Sequence, residues 1–80
     1  MREIYRQGRV KVTTEQLLER ITRLAVALDV ELKDARMKIY LEELADMTIS
    51  EMEIGLDVRR YIFFPTIKEI REIGIRKFVH

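Results

Sequence analysis

Six carboxylates stand close together in the middle of the chain: Glu42, Glu43, Asp46, Glu51, Glu53 and Asp57. Paired carboxylates can hold a divalent cation or exchange protons with a substrate. Their spacing argues against both. Glu51 stands three residues after Thr48, where a capping glutamate belongs, and the others alternate with apolar positions as on a solvated helix face. Ser50 has no histidine near it in sequence, and the one histidine, His80, is the last residue. A terminal imidazole is a poor general base or metal ligand. Gly8, Gly55 and Gly74 are isolated, so there is no phosphate-cradling loop. With no cysteine, neither a disulfide framework nor a thiolate zinc site can form. The expectation is a protein that is not an enzyme, with no catalytic or metal-ligating residues and no cofactor.

A different chemistry is written in the stretch Arg59-Arg60-Tyr61-Ile62-Phe63-Phe64-Pro65-Thr66-Ile67-Lys68-Glu69-Ile70-Arg71. Guanidinium groups and aromatic rings around a helix junction are the composition of protein interfaces and of single-stranded nucleic-acid surfaces. The same residues also serve a purely architectural reading, in which the phenylalanines anchor the junction and the arginines are solvated. One ring can face inward and the other outward, which satisfies both. The candidate partner-binding residues are Arg59, Arg60, Phe63, Lys68 and Arg71.

The elements that must position these residues announce themselves by their caps. Thr13, Thr48 and Thr66 each precede Gln16, Glu51 and Glu69 by three residues, the spacing of a capping box. Val12 with Leu17, and Met47 with Met52, occupy the staple positions that fix the entering chain; Pro65 stands in the same relation to Ile70. The first helix is predicted over 14–28, with Leu17, Leu18, Ile21, Leu24, Ala25 and Leu28 on one face. A second runs over about 32–45, its face made of Ala35, Met37, Tyr40, Leu41, Leu44 and Ala45, with Asp29 or Asp34 as the cap. The third spans 49–61 and buries Ile49, Met52 and Leu56, with Phe63 packed just beyond it. Gly55 inside it marks either close helix packing or a weak point. Phe64, ahead of Pro65, is pushed into extended backbone. A fourth helix covers 67–73, stopped by Gly74, with Ile75 set to touch Ile70 as in a left-handed helix cap. Arg9–Val12 alternate in polarity, which allows a small pairing of the chain's two ends.

Eighty residues make one domain. With 48% hydrophobic residues, that length supplies one core and no more. The fold class is all-α: a compact bundle of about four short helices whose ends are irregular or briefly extended, with 1–12 a basic arm and 75–80 a tail. No apolar run approaches the ~20 residues of a membrane span, and the start lacks the apolar stretch of a signal peptide, so a cytoplasmic protein without membrane contact is expected. The net charge of +1 hides an uneven distribution. Residues 2–11 carry four bases against one acid, 29–57 three bases against nine acids, and 59–80 six bases against two acids. Basic ends flanking an acidic middle allow nucleic-acid contact, and equally allow helices to attract one another. Met37, Met47 and Met52 suit either a core or the seam of a homo-oligomer.

The run Tyr40-Leu41-Glu42-Glu43-Leu44-Ala45-Asp46-Met47, then a capped helix, then Phe63-Phe64-Pro65-Thr66-Ile67-Lys68-Glu69-Ile70-Arg71, resembles the folded helical domain of phage replicative-helicase loader and inhibitor proteins. In that family a Tyr-x-x-x-Leu-x-Asp turn is matched here by Tyr40, Leu44 and Asp46. A later Phe-Pro-x-x-x-Glu-Ile-Arg pattern is matched by Phe64, Pro65, Glu69, Ile70 and Arg71. The resemblance spans roughly Tyr40 to Arg71. It implies a helical adaptor of phage or prophage DNA replication that holds a replicative helicase inactive and delivers it to an initiator. The basic amino-terminal arm departs from the pattern, and family members carry a further carboxy-terminal extension implicated in helicase contact. From the residues alone, two other functions stand beside this one: a small nucleic-acid-binding regulator using its basic ends, and an inhibitor or antitoxin-like protein that binds one enzyme.

Overall fold

Thr13 begins the first helix, and both halves of its capping box form. Its hydroxyl oxygen accepts from the Gln16 amide at 3.1 Å while the Gln16 side chain accepts from the Thr13 amide at 2.9 Å. In the computed structural model, which describes residues 10–79, helix α1 covers Thr14–Ala27 and buries Leu17, Ile21, Leu24 and Ala25. Leu18, expected on the same face, is exposed. The helix ends on a Schellman motif: the amide of Val30 donates to the Ala25 carbonyl at 2.8 Å and that of Asp29 to Val26 at 3.1 Å. Asp29 takes the left-handed position, at φ 55°. It therefore closes α1 and does not cap the next helix.

Helix α2 spans Asp34–Glu43, shorter at both ends than the 32–45 expected. Its N-cap is Lys33, which makes no side-chain capping bond, and Asp34 sits in the first turn, where only its charge helps. Within the helix Tyr40 alone is fully buried; Ala35 and Ala45, expected on its apolar face, are exposed. Leu44 and Met47, just past its end, are core residues.

Thr48 and Glu51 form the second capping box, with bonds of 2.9 and 3.2 Å, and open α3 at Ile49–Gly55. The predicted continuation to residue 61 does not occur. Leu56 caps the helix, and Asp57 turns to extended backbone (φ −70°, ψ 116°). A single 3-10 turn, Val58–Arg60, follows. The cause is local: Asp57 accepts from the Arg59 amide at 3.0 Å, and the Tyr61 hydroxyl donates to the Gly55 carbonyl. Both bonds satisfy groups that a continuing helix would have used otherwise.

The third box, Thr66 with Glu69, starts α4, which covers Ile67–Val79. Gly74 does not stop it. A Cβ at Gly74 would lie 2.6 Å from the Glu51 carbonyl oxygen and 2.9 Å from the Met47 methyl. The glycine lies inside the helix because α3 passes too close for a side chain. Gly55 is its counterpart, where a Cβ would come within 2.7 Å of the Ile70 carbonyl oxygen. Two glycines thus let α3 and α4 pack backbone to backbone, the most extensive helix contact in the bundle.

The pairing that residues 10–12 do make is a different one from an end-to-end contact. Lys11 bridges antiparallel to Thr48: Val12 donates to the Met47 carbonyl and Ile49 to that of Val10, both at 2.9 Å. Residues 10–12 thus lie along the turn before α3, while the chain from Ile67 through Val79 is helix. Residues 1–9 of the predicted basic arm, and His80 of the tail, lie outside the described residues.

Over the described residues the architecture is an all-α bundle of four α-helices. Its core joins Val12, Leu17, Ile21, Leu24, Tyr40, Leu44, Met47, Met52, Leu56 and Ile70. Each fully buried Leu or Ile contributes about 1.5–3 kcal/mol relative to exposure. Among the described residues no charged side chain is buried, and no buried side-chain nitrogen or oxygen lacks a partner.

Candidate functional site

The junction between the 3-10 turn and α4 is built from inward anchors flanking an outward pair. Asp57 fixes its start. The Arg59 amide, and then the Arg59 side chain at 3.2 Å, hold the Asp57 carboxyl below its ordinary range. Tyr61 points inward to the Gly55 carbonyl, and burial pushes its phenol up to about 12. Phe64, also inward, packs on Tyr40 with ring centroids 5.6 Å apart and planes tilted by 60°. The Arg36 guanidinium lies over both rings, 5.6 Å from Tyr40 and 5.7 Å from Phe64. The Tyr40 hydroxyl donates to the carbonyl of buried Pro65 at 2.7 Å, which ties α2 to the entry of α4.

Between these anchors Ile62 and Phe63 turn outward, 84% and 83% exposed. The expectation that Phe63 packs beyond α3 is therefore overturned: α3 ends before it could carry that ring inward, and Phe64 fills the place against Tyr40. Of the two rings, one is inside and one outside.

The other candidates divide in the same way. Arg59 and Arg60 are exposed beside the pair, Arg59 with its Asp57 contact. Lys68 is exposed on the first turn of α4, 4.0 Å from Glu72. Arg71 is half-buried and fully engaged. It makes bonds of 2.6 and 3.1 Å to the two carboxylate oxygens of Asp46 and donates to the Glu43 carbonyl at 2.9 Å. That fork holds the Asp46 carboxyl below its usual range and raises the guanidinium in turn. Arg71 thus locks α4 to the turn after α2, while Arg59, Arg60, Ile62, Phe63 and Lys68 are outward, with Thr66 and Glu69 exposed beside them.

Ile62 was not among the residues singled out from sequence. Its neighbours gave the signal: in Tyr-Ile-Phe-Phe-Pro a short turn cannot bury every apolar side chain. Nor did the sequence point to an open cleft of about 420 Å³ between α1, α3 and the 3-10 turn, lined by Arg20, Arg23, Glu53, Leu56, Asp57 and Arg59. Residues this far apart in the chain meet only through the packing. Each of its arginines faces a carboxylate: Arg20 lies 3.8 Å from Glu53, Arg23 3.1 Å from Glu19, and Arg59 3.2 Å from Asp57. The cleft is close to neutral. It presents no strong field to either sign of ligand.

The acidic middle is dispersed by the same packing. Glu51 caps α3, Asp46 holds Arg71, Asp57 holds Arg59 and Glu53 faces Arg20. Among the described residues no three acidic or histidine side chains converge on a metal position. No described helix is long and apolar enough to cross a membrane. No family model, curated protein or solved structure matches the chain.

Proposed function

We propose that this chain is a non-catalytic protein-interaction module of phage-type DNA replication, an adaptor similar to helicase loaders and inhibitors. The observation that carries the interaction role is the junction itself, where an exposed aliphatic and aromatic pair follows the exposed Arg59 and Arg60 closely in the chain. Exposed aromatics with arginines are enriched where proteins bind proteins. The replication context rests on the resemblance over Tyr40 to Arg71. Its Tyr40 and Pro65 meet in one hydrogen bond and its Asp46 and Arg71 in one ion pair. Those four residues maintain the helical frame, which leaves partner contact to the outward ones.

The test sets the purified chain against the replicative helicase of its own host and against a single-stranded oligonucleotide, each across a range of salt. An adaptor binds the helicase saturably, with a shallow salt dependence, and suppresses its ATPase until an initiator is added. Phosphate contacts lose affinity steeply between about 50 and 200 mM salt. Tight DNA binding at the upper end, with no helicase binding, gives the function to a nucleic-acid regulator instead.

A further inference from the structure

We draw no further inference here: the strongest candidate, the exposed surface patch of Ile62 and Phe63 on the chain leading into α4, is bordered by charges already paired within the chain, Arg59 with Asp57 and Lys68 with Glu72, and nothing in the structure shows what covers it.

Discussion

Asp29 occupies backbone that an L-residue adopts at a cost, and the reason lies in the two hydrogen bonds it completes. Its φ of 55° lets the amides of Asp29 and Val30 satisfy the last carbonyls of α1. Glycine reaches this conformation without a Cβ clash. Asp29→Gly should therefore stabilise the fold by about 0.5–1 kcal/mol, read as a rise in thermal midpoint. A midpoint that falls would mean that the Asp29 carboxylate contributes more than the strain it carries. The same scale explains what could be read at the junction. The residue types of Arg59–Arg71 make it a candidate contact surface, but which phenylalanine faces outward depends on Tyr40, a residue more than twenty positions earlier. Arg71 belongs to the same lesson. Its type suits partner binding, and Asp46 claims it only once α4 is docked.

The three boxed helix starts were legible, whereas the uncapped start of α2 and the ends of α3 and α4 were not, and the two have different physics. A capping box is closed by residues three apart, so Thr13, Thr48 and Thr66 could be read directly. The end of α3 depends on Asp57 and Tyr61 competing for backbone groups, and the persistence of α4 depends on what passes beside it. Gly74 shows this most plainly, since a glycine after an apolar run reads as a stop unless the neighbouring helix is known. In an exposed helix interior, Gly→Ala stabilises by about 1 kcal/mol. Here the sign should reverse. A Cβ at Gly74 would meet the Glu51 carbonyl oxygen at 2.6 Å, backbone that cannot move without displacing α3. Gly74→Ala should lower stability by about 1–3 kcal/mol, the usual cost of overpacking. Gly55→Ala should behave alike, against the Ile70 carbonyl at 2.7 Å. Urea denaturation of each single variant checks both; a stabilised Gly74→Ala would show that the helices can separate freely.

Across the whole molecule stability is unevenly held, and a few ties decide how it responds to conditions. α3 and α4 are capped and closely packed, whereas α2 has no side-chain cap and one fully buried residue. Amide exchange should therefore open α2, around Lys38–Leu41, at a lower free energy than α4 around Ile70–Ile73. Equal protection would mean that the Tyr40–Pro65 bond makes the two a single cooperative unit. What joins the α2 side to α4 on the outside is the Asp46–Arg71 fork, and its charge makes that joint sensitive to acid. The Asp46 carboxyl is held below its ordinary value of 3.8, chiefly by the Arg71 hydrogen bonds, and that of Asp57 lies below 3.8 through the Arg59 amide. The unfolded chain then binds more protons than the folded one, so the stabilisation is full above pH 3.8 and is lost as pH falls through the lower folded values. Tyr61 works at the opposite limit. Burial raises it from 10.0 to about 12, so its contribution is present below pH 10.0 and disappears as pH rises toward about 12. Stability followed against pH should show both shoulders. Asp46→Asn should flatten the acid one and leave the alkaline one in place, while Tyr61→Phe should do the converse. An acid slope unchanged in Asp46→Asn would place the acid sensitivity at Asp57 and make the fork a contact of geometry alone, which is what separates a joint that senses charge from one that only fills space.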